Sequence, residues 1–357
     1  MKVMKFGGTS VGSPELIKNV ATLITASKEQ VFVVLSAMSG TTNALIEISD
    51  YLIKRNPEGA NELINRLETS YLSHVDALYS TQEYKEKTQT TLLQIFSYLR
   101  SFTKGHFTSF ESHRVVAQGE IMSTNMMANY LLEQGYHTTL IDALSFMRTD
   151  KNAEPDMEYI KHHLKEAMQG HEDSQVYITQ GFICRNSYGE IANLQRGGSD
   201  YTASLVGVSL PAEEIQIWTD IDGMHNNDPR FVDKTTAIHQ LNFEEAAELA
   251  YFGAKILHPT CVQPAKFYGV PVRLKHTMDP HAEGTIIDNN LVRGKIKAVA
   301  AKDNITAIKI KSSRMLLATG FMRKVFETFE AYQTPIDMIT TSEVGVSMSI
   351  DNDKHLT

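Results

Sequence analysis

The 357 residues hold only two cysteines, Cys184 and Cys261, at a spacing that fits neither a disulfide framework nor a metal-ligand pair. Both are expected to be small apolar residues in a reducing compartment, the cytoplasm. The most apolar run, Val31 to Leu35, is far too short to span a bilayer. The N-terminus lacks the apolar core and cleavage site of a signal peptide, so no membrane partner is expected. Basic residues do not prevail: 34 Lys and Arg stand against 42 Asp and Glu, for a formal charge of −8. That balance argues against a nucleic-acid partner, although a nucleotide needs only a local basic cluster in a cleft. Thirteen histidines include no H-x-x-x-H pair, so no protein-held metal is expected. There is no repeat, no low-complexity tract and no Walker A string.

What is present is ordinary globular composition, 42% hydrophobic and 21% charged, with length for two domains at roughly one per 150 residues. Val3 to Phe6 reads as a strand feeding a glycine turn, Gly7 to Gly12. Ser13-Pro14-Glu15 then supplies a cap, a first-position proline and a first-turn acid for a helix to about Lys28. Val31 to Leu35 reads as a strand buried on both faces, followed by the small-residue turn Ser36 to Gly40 and a helix from about Thr42. Strand, glycine turn and helix in alternation predict a parallel α/β sheet. Residues 58 to 132 carry helical periodicity broken near Gly105.

Further strands are expected at Thr138 to Ile141, Val176 to Ile183, Glu214 to Trp218 and Val270 to Leu274. A hairpin is expected at Arg185 to Glu190, and helices after Asp200, over Phe243 to Phe252 and over Pro259 to Phe267. Texture changes near Lys302. From there a strand (Ile305 to Ile310), a helix (Phe321 to Tyr332) and two strands (Ile336 to Ile339, Val344 to Ile350) form a separate β-α-β-β unit.

The chemistry concentrates in three strand-to-helix loops, at Gly7, Ser39 and Gly197. Glycine lets backbone approach a ligand closely, and amides at a helix start favour an anion. In open parallel sheets such loops gather at the carboxyl ends of the strands. A Lys-Phe-Gly-Gly string alone is more often just a tight turn. Lys5 before the first loop and Arg196 before Gly197-Gly198-Ser199-Asp200 favour phosphate or carboxylate binding. Asp200 also reads as a plain cap, and Arg230 and Lys255 alone read as surface residues.

Together the strings KFGGTSVG, VLSAMSGTTN, GEIMS, RGGSDYTA, WTDIDG, NDPR and FGAKILHP resemble the aspartate kinases of the amino-acid-kinase family. KFGGTS with RGGSD and FGAK distinguishes these from the glutamate, acetylglutamate, carbamate and uridylate kinases of the same fold. The resemblance implies a mostly parallel central sheet flanked by helices over residues 1–295, then a partial ACT-like α+β segment over 303–357. It implies transfer of the ATP γ-phosphoryl group to the side-chain carboxylate of L-aspartate, the first step toward lysine, threonine and methionine, with Mg²⁺ bridging phosphate oxygens.

Carried over by position, Lys5 would meet the transferring phosphoryl group and Asp200 would organise the cationic groups around it. Arg196 would hold the aspartate α-carboxylate and Glu120 its ammonium. Ser39, Thr42, Gly197, Gly198 and Ser199 would line the substrate pocket, with Thr41 close by. Gly7, Gly8, Thr9, Ser10, Thr219, Asp220, Arg230 and Lys255 would hold the nucleotide. His225 stands where related kinases often have tyrosine, which leaves its role open. GFMRKVF and PIDMITTSEV are most like lysine-inhibited members and place Met315, Gly320, Phe321, Asp337, Thr341, Ser342 and Glu343 around an allosteric site for lysine or threonine. Leu317 and Ala318 depart from that lysine pattern. The family pairs its ACT units, commonly as dimers, and half a unit at Thr357 is expected of a truncated chain. The competing readings are another carboxylate or carbamate kinase and a kinase-dead amino-acid sensor.

Overall fold

The computed structural model describes residues 1–194, 197–252, 257–291, 296–312, 315 and 319–351. Two compact units divide the chain, Met1–Val299 and Ala300–Thr357. Residues 296–302, between the expected domains, are shared: Val299 donates its amide to Asn226 O, and Lys302 pairs with Asp351 within the second unit.

The first unit opens with β1 (Lys2–Phe6), a short 3₁₀ turn (Gly8–Val11) and α1 (Pro14–Thr25). Ser13 caps α1, which ends three residues before the expected Lys28. Next come β2 (Val31–Leu35), α2 (Thr41–Ile53), α3 (Pro57–Leu78), α4 (Gln82–Ser101), α5 (Ser109–Val116) and α6 (Gln118–Glu133). Then follow β3 (Thr138–Leu140), α7 (Ala143–Phe146), α8 (Met157–Met168), β4 (Val176–Gln180), β5 (Ile183–Arg185), β6 (Ile191–Asn193) and α9 (Gly198–Ser209). The unit closes with β7 (Glu214–Thr219), β8 (Gln240–Asn242), α10 (Phe243–Phe252), α11 (Pro259–Tyr268), β9 (Val272–His276) and β10 (Thr285–Asp288).

Eight strands form one sheet in the order β3-β4-β2-β1-β7-β9-β10-β8, parallel except for the β9–β10 pair. Val31 to Leu35 are all buried, because α1, α2 and α6 cover one face and α8, α9, α10 and α11 the other. The expected strand Val176 to Ile183 is divided at Gly181-Phe182. A Cβ on Gly181 would lie 2.9 Å from Ser199 Cα, and Phe182 takes a φ of 69°. The chain therefore turns there into the β5–β6 hairpin. The strand read at Val270 to Leu274 sits two residues later. The sequence reading missed α7, α8 and the short strands β8 and β10, which alternate too briefly to stand out.

The second unit is β11 (Thr306–Lys311), α12 (Phe321–Ala331), β12 (Met338–Ser342) and β13 (Gly345–Ile350), with sheet order β11-β13-β12, all antiparallel. Val325 of α12 packs on Val346 and Met348.

Candidate active site

Strands β4, β2, β1 and β7 lie side by side and parallel, so the loops leaving them converge on one edge of the sheet. The first two loops are bonded to each other. Ser36 donates its amide to Phe6 O (3.2 Å) and Ser39 its amide to Gly8 O (3.1 Å). A Cβ on Gly8 would lie 2.7 Å from Ala37 O, so glycine is what permits this approach. Helix α2 starts from Gly40 (φ 80°) and α9 from Gly197 (φ 74°), each without a side-chain cap. The Thr41 amide of α2 is already bonded to Met38 O (3.0 Å), while no side chain caps the first-turn amides that follow it or those of α9.

Lys5 alternates onto the α9 face of β1, and its Nζ lies 2.7 Å from Asp200 Oδ1, each side chain 12% exposed. The contact is an ion pair off hydrogen-bonding directions, for Oδ1 has no hydrogen-bond partner among the described residues. The same Nζ would stand 3.5 Å from a Cβ on Gly7, which puts the cation over the glycine loop. The two residues expected to be catalytic are brought together.

The loop before α9 is wedged. A Cβ on Gly198 would lie 2.6 Å from Phe182 Cδ2, and one on Gly197 2.5 Å from Cys261 Sγ. The Cys261 thiol, wholly buried on α11, donates to Gly197 O at 3.2 Å. Ser199 packs on Gly181. Arg196 and Lys255 lie outside the described residues, as do Leu317 and Ala318.

Glu120, on the first turn of α6, is 3% exposed. Its Oε1 accepts from Ala37 N at 3.3 Å, while Oε2 has no hydrogen-bond partner among the described residues. Burial pushes this carboxyl up to about 7. Ser123 on the same helix donates to Ser36 O, so α6 holds both carboxylate and loop. Ser39 is exposed and Thr42 half-buried at the start of α2. The Thr41 hydroxyl is taken by the buried Tyr71 hydroxyl of α3, 2.8 Å away. Tyr71 was not legible beforehand; it is one apolar-face residue among many in a 22-residue helix.

At the other end of the edge, Thr9 is exposed, and the Thr219 hydroxyl donates to the exposed Asp220. Ser10 is buried, with its hydroxyl 2.8 Å from Thr277 Oγ1, so that group is engaged within the protein. Arg230 Nε lies 3.0 Å from both Asp228 oxygens, and this guanidinium holds the Asp228 carboxyl below its usual range. His225 sits between Asp222 (Nε2, 2.6 Å) and Thr235 (Nδ1, 2.7 Å). Both nitrogens serve the 220–237 loop. Among the described residues no group of three or more His, Cys, Asp or Glu could hold a metal ion, and no helix is long and apolar enough to cross a membrane.

The donor set of glycine amides, a half-buried lysine and helix starts without side-chain caps suits a polyanion. The family model that matches residues 1–276 is that of the amino acid kinase family. The chain belongs to this family.

Aspartokinase 1, chloroplastic, of Arabidopsis thaliana is 35% identical over 99% of the chain. The chain spans 63% of that relative's length. The crystal structure of E. coli aspartokinase III in complex with aspartate and ADP superposes with a TM-score of 0.83 at 32% identity, covering 99% of this chain and 79% of that one. The same enzyme in complex with lysine and aspartate gives 0.82 at 32% identity, covering 100% and 81%. The mostly parallel sheet expected from the sequence is the family's.

In the second unit, Ser342 and Glu343 stand at the β12–β13 turn, which Ser312 meets through Val344 O. Thr341 is one residue away, and Met315, Gly320 and Phe321 follow from that same end of β11. Asp337 is at the opposite end of β12, bonded to Ser349 O. Within one unit it does not join the others.

Proposed function

We propose that the chain is an aspartate kinase, transferring the γ-phosphoryl group of MgATP to the side-chain carboxylate of L-aspartate. The observation that carries this reading is the Lys5–Asp200 pair standing over the glycine loop at the edge where β1, β2 and β7 deliver their loops.

Phosphoryl transfer needs positioning and positive charge rather than a protein nucleophile. The glycine-loop amides and the α2 and α9 starts cradle phosphate oxygens. Lys5, held by Asp200, offsets charge developing on the transferring group. The attacking carboxylate arrives ionised, so no general base is required. Oε2 of Glu120, unpartnered among the described residues, offers an acceptor for the substrate ammonium, and Arg196 is assigned the α-carboxylate. Thr219, Asp220, Arg230 and Lys255 are assigned the nucleotide. Mg²⁺ is assigned to arrive with ATP as part of the substrate, held by phosphate oxygens and water.

The second unit is read as a partial ACT-like effector module. Support comes from the likeness to the lysine complex of aspartokinase III, and lysine is the effector to test first. Cys184 and Cys261 are buried and form no disulfide, consistent with a reducing, cytoplasmic setting. The decisive assay measures ADP release with MgATP and aspartate, glutamate, acetylglutamate, carbamate or UMP, with hydroxylamine to trap acyl phosphate. Aspartate-dependent release with a hydroxamate product is expected. Turnover with another acceptor alone, or aspartate binding without turnover, overturns the reading.

A further inference from the structure

Thr277, immediately after β9, touches three parts of the nucleotide edge at once. Its hydroxyl meets Ser10 Oγ of the glycine loop at 2.8 Å, its amide donates to Thr219 O at the end of β7 (2.8 Å), and its carbonyl accepts from Asn19 Nδ2 of α1 (3.4 Å). Thr277 and Ser10 are 3% and 4% exposed, so water does not readily replace the hydroxyl pair. The turn that follows is itself held: the amides of Met278 and Asp279 both donate to His276 Nδ1 at 3.0 Å. The glycine loop therefore hangs on one side from Ser36 and Ser39 of the second loop and on the other from Thr277.

We propose that Thr277 is a positioning residue for the phosphate-binding loop, fixing its distance from the β7 end where the nucleotide is held. The inference rests on the reading of that loop as the phosphate site. Ser10 N is bonded within the loop to Gly7 O (3.0 Å), and the remaining loop amides must be held toward one polyanion; such a loop loses affinity when a buried anchor goes, because binding then has to order it. The effect falls on the nucleotide and not on aspartate, whose assigned ammonium contact, Glu120, hangs from α6.

The test uses the full chain with Thr277→Val, which removes the hydroxyl at nearly constant volume, and Thr277→Ser, which keeps it. Calorimetric MgADP binding and the KM values for MgATP and aspartate are measured, with Tm alongside. For Thr277→Val the MgADP Kd and MgATP KM are expected to rise about tenfold, the worth of one buried hydrogen bond, with the aspartate KM unmoved. Thr277→Ser is expected to restore both. Ser10→Ala breaks the same bond from the other side, so Ser10→Ala/Thr277→Val should be no worse than the poorer single variant.

A lower Tm with unchanged nucleotide constants would show a merely structural tie and overturn the proposal. So would Thr277→Ser behaving like Thr277→Val. If Thr277→Val does not fold, the comparison passes to Ser10→Ala, where unchanged MgADP affinity has the same meaning. Absence of MgADP binding by the unaltered chain would instead overturn the site reading itself, and the positioning role with it.

Discussion

The Lys5 ammonium and the Asp200 carboxylate stand 2.7 Å apart, nearly buried, yet with Oδ1 outside hydrogen-bonding geometry. The carboxylate holds the cation at the loop by charge, and the proposed function assigns that cation to the transferring phosphoryl group.

Lys5→Met should therefore lower kcat by roughly two to three orders of magnitude, as for loss of a preorganised charge contact. It should also destabilise, by about 3 kcal/mol, because Asp200 is left as a lone charge at a site 9% exposed. Adding Asp200→Asn should recover stability and not activity. Chemical denaturation beside the ADP-release assay checks both; near-normal turnover in folded Lys5→Met would remove the lysine from the mechanism.

Glu120 predicts a pH effect with a definite sign. Its carboxyl is raised to about 7 by burial, so it is neutral below that pH and charged above it. If it receives the substrate ammonium, the aspartate KM rises as pH falls through about 7 while the MgATP KM does not follow. Because the folded value lies above the unfolded one, this group's contribution to stability is present at low pH and is lost as pH rises from 4.5 through 7. Glu120→Gln should thus be more stable than the parent at pH 8, by up to ~3 kcal/mol, while binding aspartate poorly. A flat aspartate KM between pH 6 and about 8 contradicts the assignment.

Gly8→Ala places a methyl 2.7 Å from Ala37 O, against backbone that cannot swing away. The first two loops must then part, at a cost of roughly 1–3 kcal/mol. Urea denaturation should show that loss, and turnover should fall further than the Tm shift alone accounts for.

Tyr71→Phe leaves the buried Thr41 hydroxyl without its 2.8 Å partner. A destabilisation of about 1–2 kcal/mol is expected, with the aspartate KM raised and the MgATP KM spared. Equal change in both constants would place the tyrosine outside the acceptor side of the site.

Much of the first unit was legible because its signals are local. Val31 to Leu35 announces a two-face-buried strand by composition, and Ser13-Pro14 announces the helix start at Pro14. Lys5, Gly8 and Asp200 drew attention as residues of strand-to-helix loops, and Glu120 only because the string that contains it resembles a family. Tyr71, Cys261 and Thr277 were missed because each does its work through a partner 30, 64 or 267 positions away. Nothing local distinguishes a threonine that ends a strand from one that anchors a loop. His225 shows the same limit: the sequence left its role open, and only the loop's closure shows both nitrogens committed to Asp222 and Thr235.

The sequence by itself determined the alternation of strands, glycine turns and helices, and with it a parallel sheet carrying loops along one edge, because backbone conformation and hydrophobic period are properties of neighbouring residues. Only the tertiary structure decided which loops touch, that Lys5 faces Asp200, that Glu120 keeps a buried oxygen unpaired among the described residues and that Asp337 stands away from Ser342. Those outcomes depend on strand order and register, which bring distant residues within bonding distance and take water away from them.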